Sequence, residues 1–166
     1  ALIGCLLLAI TSRPAACADP PLVFGVFPKL TARQTIVTYR PLADVLERHL
    51  QRRVIIFSAR NFKTFVARTR QGDYDILLTA PHLAWLARQD AGYRPLLKYA
   101  QPARGLLVVK ADSPFAEPGA LRGRTIATPD SIAVAVLAIE AELAPRGLRH
   151  EIAYRTVESG THPNAV

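Results

Sequence analysis

Short apolar runs alternate with amphipathic segments along most of the chain. Leu22–Phe27, Val54–Ser58 and Tyr74–Thr79 are apolar and bounded by loop residues, which is typical of buried strands. The segments between them carry apolar residues at helical spacing. The sequence therefore predicts strands that alternate with helices, the pattern of a mainly parallel sheet with helices on both faces.

Capping and turn residues set the predicted bounds of the first two helices. The residues 28–33 are predicted as a loop, and the first helix is predicted to begin near Pro41, because proline suits the first turn of a helix. Asn61 is predicted to cap a second helix over 62–71, and Gly72 is predicted to end it.

The middle of the chain contains one more helix and two more apolar runs. Pro81 is predicted to start a helix that reaches Gln89, and Gly92 to end it. Arg94–Ala100 and Gly105–Lys110 are predicted as further strands because both are short and largely apolar.

A second strand–helix–strand unit follows. Arg124–Thr128 is predicted as a strand, and Ser131 is predicted to cap a long apolar helix that reaches Ala144. Glu151–Arg155 is predicted as the last strand, before a polar loop over 159–163. This unit has too few elements to cover both faces of a sheet, so we expect the chain to be C-terminally truncated.

The N-terminal residues resemble a secretion signal. Leu2–Ile10 is an apolar run that is too short to span a bilayer, which takes about 20 apolar residues. Ala16–Ala18 places small residues before a cleavage point at Asp19. We therefore expect residues 1–18 to be the remnant of a signal peptide, with an uncleaved membrane anchor as the alternative.

Composition narrows the class of protein. Half of the 166 residues are hydrophobic, so a packed core is expected. The net charge of +8 suits an anionic small molecule, a nucleic acid or a membrane surface. The basic residues are scattered rather than clustered, which argues against nucleic acid. Both cysteines, Cys5 and Cys17, lie in the predicted signal segment, so the mature chain would form no disulfide.

Polar residues follow three of the predicted strands. They lie in the segments Thr79–His82, Thr128–Ser131 and Gly160–His162. Ligands of open parallel sheets bind at the carboxyl ends of strands, where helix N-termini present N–H groups and a positive dipole end. Hydroxyl and imidazole donors at those ends suit a tetrahedral oxyanion.

Motifs for other chemistry do not occur in the sequence. The four histidines are scattered without a pair at metal-binding spacing, and no serine stands in a G-x-S-x-G context. Phosphate-binding and dinucleotide-binding glycine motifs do not occur either. We therefore predict no catalytic residue, no metal site and no cofactor.

The stretch LLVVKADSPFAEPGALRGRTIAT, from Leu106 to Thr128, resembles the crossover between the lobes of type II periplasmic binding proteins. The resemblance extends over residues 22–166 and is strongest to the phosphate, phosphite and phosphonate-binding proteins of ABC importers. It implies a two-lobe α/β architecture with mainly parallel sheets and flanking helices. The first lobe would occupy residues 19–106, and the crossover with an incomplete second lobe residues 107–166.

The resemblance also implies roles for particular residues. The segments DILLTAPHLAWLA, ATPDSIAVAV and SGTHPNAV are similar to the parts of these proteins that surround the ligand. Ser131 and His162 match positions that bind the oxyanion, while Phe62 and Thr79 stand where phosphonate-binding members use tyrosine. The carboxylates that hold an aminophosphonate's amine would lie beyond Val166.

Each candidate has a structural alternative. In these alternatives Ser131 is only a helix cap, Phe62 a core residue and His82 a surface residue. Together with the strand-end argument, the predicted ligand-binding residues are Phe62, Thr79, His82, Ser131, Thr161 and His162.

The expected function is that of a periplasmic solute-binding protein, not an enzyme. It would capture a small oxyanion such as phosphate, phosphite or phosphonate and deliver it to the membrane permease of an ABC importer. Two other interpretations stay open: the extracytoplasmic sensor domain of a membrane-bound histidine kinase, and an inactive truncated relative. A hydrolase on the same fold would need catalytic groups that the sequence does not show.

Overall fold

The computed structural model describes residues 19–102 and 104–166, so the predicted signal segment lies outside the described residues. Among the helices of the described part, none is long and apolar enough to cross a membrane. The elements follow in the order β1 (Leu22–Val26), α1 (Ala32–Leu50), β2 (Val54–Ser58), α2 (Phe62–Gln71), β3 (Ile76–Leu78), α3 (Pro81–Ala91), β4 (Thr125–Thr128), α4 (Val134–Leu143) and β5 (Arg155–Glu158). Short 3-10 helices lie at Pro118–Leu121, Ala144–Arg146 and Pro163–Ala165.

Two parallel sheets organise the chain. The first has the strand order β2-β1-β3, with Phe24 of β1 paired to Ile56 on one side and to Ile76 on the other. The second consists of β4 and β5, which are also parallel. We call the parts built on these two sheets the first lobe and the second lobe. The predicted α/β class with parallel sheets and flanking helices is confirmed.

Each face of the first sheet has its own core, because successive strand side chains point to opposite faces. Phe24 and Val26 pack with Tyr39 and Ala43 of α1 on one face. The opposite face carries Tyr74 together with Phe65 of α2 and Val23 of β1. Gly25 lies under the Tyr74 ring, and a Cβ atom built there would come within 2.5 Å of it.

The second lobe has a smaller core. Leu143 at the end of α4 packs with Leu148, Ala153 and Tyr154, and Ile126 of β4 is partly buried against them. The two strands carry few buried side chains, since Thr128 is the only buried residue of β4 and β5.

The first helix begins earlier than predicted. Its cap is Thr31, whose hydroxyl accepts the Gln34 N–H while the Gln34 side chain accepts the Thr31 N–H, a reciprocal capping box. The prediction that residues 28–33 are all loop and that the helix starts near Pro41 is therefore wrong. Pro41 is tolerated inside α1 because it lies on the solvent-facing side, where the carbonyl it leaves unpaired can be hydrated.

The predicted bounds of α2 and the predicted start of α3 are confirmed. Asn61 Oδ1 accepts the Thr64 N–H at 2.8 Å, and Gly72 ends α2 in the left-handed conformation. Helix α3 begins at Pro81 as predicted and ends at Ala91, two residues beyond the predicted end, with Gly92 as its left-handed C-cap.

The two strands predicted at Arg94–Ala100 and Gly105–Lys110 do not form. Both segments are irregular and have no ladder partner among the described residues, and the apolar run 106–109 is exposed. Gly105 instead lies against α4, where an added Cβ would approach the Ala135 carbonyl oxygen to 2.7 Å. Apolar character alone did not produce strands, because a strand also needs a neighbour for its backbone hydrogen bonds.

The last elements are shifted or shortened relative to the prediction. Strand β5 begins at Arg155, where pairing with Thr125 sets its register; the predicted Glu151–Arg155 stretch is mostly a turn in which Ala153 N–H donates to Arg149 carbonyl. Helix α4 begins at Val134, so Ser131 lies outside it and the predicted cap is wrong. Strand β3 is shorter than the predicted 74–79 run at both ends.

Candidate oxyanion site between the lobes

The carboxyl ends of the first-lobe strands lie at one edge of the sheet. There β1 leads into the loop before α1, β2 into α2 and β3 into α3, so three helices begin at this edge. Parallel strands place all of these helix N-termini on the same side. Phe62 and His82 each stand in the first turn of one of these helices.

Phe62 forms part of an apolar contact between the lobes. It is 1% exposed and packs with Ala80 and Leu83 of the first lobe and with Ala133 and Val136 of the second. Its ring also meets the Phe27 ring edge-on, with centroids 6.0 Å apart. We call this five-residue cluster the interlobe seam. Phe62 therefore contributes packing at the seam and carries no hydrogen-bond donor.

His82 joins the lobes by a hydrogen bond. Its Nε2 lies 2.8 Å from the backbone carbonyl oxygen of Ile132. Because a carbonyl can only accept, Nε2 carries the proton in this contact. The other ring nitrogen, Nδ1, is buried and has no protein partner among the described residues. His82 is thus held by the second lobe through one nitrogen and presents the second nitrogen for another contact.

Thr79 lies on the sheet face that packs against α2 and α3. It lines a cavity of about 10 Å³ with Phe65, Leu83 and Ala87 among its walls, room for no more than one water molecule. The Thr79 hydroxyl is buried without a partner in the described structure. Thr79 is thus close to His82 in sequence, but its side chain lies in the cavity between the sheet and helices α2 and α3.

Ser131 lies in the exposed turn between β4 and α4. Its backbone N–H donates to the Glu158 carboxylate at 3.0 Å, and the neighbouring Ile132 N–H donates to Asp130 Oδ1 at 3.1 Å. This turn thus already has two amides that bind carboxylate oxygens. Its hydroxyl does not cap α4, because α4 begins three residues later with Ala133 as N-cap.

Thr161 and His162 lie in the turn after β5. Thr161 Oγ1 and His162 Nδ1 are both buried and have no partner in the described part of the chain. Burial lowers the pKa of His162 below its ordinary value, and the ammonium group of Lys29 lowers it further, while the Lys29 backbone carbonyl acts in the opposite sense. His162 of the second lobe therefore lies against the first lobe at Lys29.

The structure brings most of the predicted residues to the boundary between the lobes. Phe62 and His82 meet the second lobe at the seam, His162 meets the first lobe at Lys29, and Thr161 adjoins His162. Buried polar atoms in native proteins are nearly always hydrogen-bonded, so exceptions need an explanation. The residues whose side chains hold such unpartnered atoms include four of the six candidates, namely Thr79, His82, Thr161 and His162.

Two of the three helices that meet at the seam lack a side-chain cap at their N-termini. The N-caps of α3 and α4 are Ala80 and Ala133, which offer no side-chain acceptor. Helices α1 and α2 are capped by Thr31 and Asn61. The amides at the start of α3 and α4 therefore keep their capacity to bind an anion.

Sequence reasoning missed Lys29 and Phe27. Lys29 lies three residues after Val26, the last residue of the buried strand β1, in a segment that was predicted only as a loop. Its ammonium Nζ lies 5.4 Å from the Phe27 ring centroid. The usable signal was a basic residue just past the carboxyl end of a buried strand, the same position that identified the polar residues after β3.

Comparison with known proteins agrees with this architecture. A family model described as "ABC transporter, phosphonate, periplasmic substrate-binding protein" matches residues 24–166. No curated protein matches the chain significantly. Among solved structures, PhnD1 from Prochlorococcus marinus (MIT 9301) in complex with methylphosphonate matches with a TM-score of 0.65 and 16% sequence identity. That alignment covers 87% of this chain, and the chain spans 57% of the length of that structure.

The fold, with two parallel sheets and flanking helices, is similar to that of periplasmic binding proteins. The family model covers most of the chain, so the chain belongs to the family of periplasmic substrate-binding proteins of phosphonate ABC transporters. The structural similarity to PhnD1, at its low identity, shows a shared fold. Members of this family are extracytoplasmic and bind substrates rather than transform them.

Proposed function

We propose that this chain captures a small oxyanion, such as phosphate, phosphite or a phosphonate, between its two lobes. The observation that carries the proposal is the set of buried polar atoms without partners at the lobe boundary, which includes His82 Nδ1, Thr161 Oγ1 and His162 Nδ1. A tetrahedral oxyanion is a strong acceptor for N–H and O–H donors from several directions. One bound oxyanion would accept the Thr161 hydroxyl proton from the second lobe. From the first lobe it would accept the Nδ1–H of His82 when that ring is an imidazolium, because Nε2 already donates to Ile132.

Helix N-termini add to this site. The positive ends of α3 and α4 favour a negative charge between them, since neither helix is capped by a side chain. His82 lies in the first turn of α3, and its bond to Ile132 keeps that turn close to the start of α4. The ligand would therefore lie where charge from both lobes converges, and its binding would favour lobe closure.

In the cell the chain would act as the extracytoplasmic solute-binding component of an ABC importer. It would bind the oxyanion in the periplasm and deliver it to a membrane permease without chemical change. The family assignment supports this role. The ligand-binding residues would be Phe62, which packs at the seam, with Ser131 and Thr161 as hydroxyl groups and His82 and His162 as imidazole groups. Thr79 is the exception among the predicted residues, because its side chain lines the small cavity behind α2 and α3.

Isothermal titration of the purified chain with methylphosphonate, phosphite and phosphate tests the proposal. Binding of at least one oxyanion is expected. His162→Ala should weaken that binding about tenfold to a hundredfold, as for the loss of one hydrogen bond to a charged group. The matched control is His49→Ala, because His49 lies exposed on α1 and its Nδ1 contacts only the Val45 carbonyl.

Two results would contradict the proposal in different ways. If none of the three oxyanions binds the wild-type chain, the function itself is rejected. If an oxyanion binds but His162→Ala and His49→Ala bind it equally well, the site lies elsewhere on the molecule.

A further inference from the structure

Lys29 follows β1 at the edge of the sheet where the candidate site lies. Its ammonium Nζ stands 5.4 Å from the centroid of the Phe27 ring and 5.8 Å from that of Tyr39. Aromatic faces attract a cation and hold it in a preferred position. The Phe27 ring in turn meets Phe62 of the interlobe seam, so the ammonium group is placed beside the contact between the lobes.

The positive charge of Lys29 has no protein counter-ion in the described structure. Over residues 19–102 and 104–166, the salt bridges of arginine involve Arg40, Arg68, Arg70 and Arg146, and none involves Lys29. Lys29 is also only partly exposed. A charge that no carboxylate of the described residues neutralises can pair with a bound anion.

Buried polar atoms without partners occur in both lobes, on His162 and Thr161 in the second and on Thr35 in the first. His162 of the second lobe lies against Lys29, and the adjacent Thr161 hydroxyl is buried and unpartnered. In the first lobe, Thr35 is 1% exposed and its hydroxyl has no partner among the described residues. Thr35 stands one helical turn before Tyr39 on the same face of α1. Both lobes thus carry unpartnered polar groups, and the charge of Lys29 acts on His162 across the lobe boundary.

We propose that Lys29 is a ligand-binding residue that supplies the positive charge for the oxyanion, so that the site selects anions by charge. The inference rests on the proposed function. It adds Lys29 as a ligand-binding residue and a preference for anions with two negative charges. The ammonium group and the imidazole of His162 would bind oxygens of one anion from opposite lobes. A phosphate or phosphonate with two negative charges would gain more from Lys29 than an anion with one.

Four proteins test this proposal by titration with methylphosphonate and phosphate. Lys29→Met keeps the length of the side chain without its charge and should weaken binding about tenfold to a hundredfold. Lys29→Arg keeps the charge and should retain most of the affinity. Arg53→Met is the control for net charge, because Arg53 is exposed before β2 at the opposite edge of the sheet; it should change affinity by no more than about twofold.

The salt dependence of binding provides a second measurement that a purely structural role would not change. Wild-type affinity should fall as sodium chloride is raised, and Lys29→Met should show a smaller fall, because a charge pair has been removed. The wild-type part of this measurement needs no variant, so it can be made even if Lys29→Met does not fold. Wild-type binding that is independent of salt would overturn the proposal.

The outcomes separate this inference from the function on which it rests. If Lys29→Met binds as well as Arg53→Met while His162→Ala is weakened, Lys29 is not a ligand residue and the oxyanion site stands. If the wild-type chain binds neither methylphosphonate nor phosphate nor phosphite, the proposed function fails and the role of Lys29 falls with it.

Discussion

The two lobes are built from the same strand–helix unit but differ in how they bury it. In the first lobe, β1 is paired on both sides and packed on both faces, against α1 on one and against α2 on the other. In the second lobe, β4 pairs only with β5, and most of their side chains are exposed. The first lobe is thus a self-supporting core, and the second lobe depends more on contact with it.

The first lobe and the boundary between the lobes also differ in how their polar groups are paired. In the first lobe, Thr31 caps α1 and Asn61 caps α2. At the boundary between the lobes, helix starts lack side-chain caps and several buried polar atoms lack partners. Three of the seven such atoms in the described chain, on His82, Thr161 and His162, lie at this boundary. The other four are on first-lobe residues, namely Thr35, Arg52, Tyr74 and Thr79.

The largest predicted effect concerns the central strand of the first lobe. Gly25→Ala should lower the free energy of unfolding by about 1–3 kcal/mol, because the added methyl group would overpack the Tyr74 ring. Gly119→Ala is the matched control, since nothing lies within 4 Å of a Cβ there. Urea denaturation of both variants measures the difference. Equal stability of the two variants would mean that the Tyr74 contact does not constrain the first lobe.

An intermediate effect is predicted for the starts of α2 and α4. Asn61→Ala removes a side-chain cap and should cost about 1 kcal/mol of unfolding free energy. Ser131→Ala should change it by less than about 0.5 kcal/mol, because Ser131 lies outside α4 and caps nothing. Thermal unfolding followed by circular dichroism measures both. A loss for Ser131→Ala as large as that for Asn61→Ala would show that the second lobe is capped like the first.

The smallest predicted effect is a pH dependence from the boundary. The pKa of His162 is lowered in the folded chain by burial and by Lys29, so the unfolded chain binds more protons just below the ordinary histidine pKa of about 6.5. Its contribution to stability is therefore complete above that pH and is lost as the pH falls from there toward the lowered value.

Comparison with His162→Gln isolates this contribution. Urea midpoints between about pH 7 and pH 5 should fall more for the wild-type chain than for the variant. Parallel curves for the two proteins would show that His162 titrates in the folded chain as it does in the unfolded chain.

Local signals in the sequence predicted much of the first lobe. The apolar runs that form β1 and β2, the Asn61 cap and the Gly72 and Gly92 stops act within a few residues, so a single stretch of sequence suffices to recognise them. The same holds for the polar residues after strands, because parallel strands bring their carboxyl ends to one edge. Those residues include His82, Thr161 and His162, which lie at the lobe boundary.

The errors arose where distant contacts decide. The run 106–109 is as apolar as a strand, but a strand needs a ladder partner that the described chain does not place beside it. Strand β5 took its register from Thr125 rather than from its own pattern. Lys29 escaped notice because its neighbours Tyr39 and His162 are remote in sequence.

The sequence by itself determined the alternation of strands and helices, the parallel α/β class and the resemblance to oxyanion-binding proteins, because these depend on periodicity and short motifs. Only the tertiary structure decided that His82 bridges to Ile132, that Phe62 packs at the seam and that Lys29 lies beside His162. The physical reason is that a binding site joins side chains by distance in space, and packing of two lobes sets those distances.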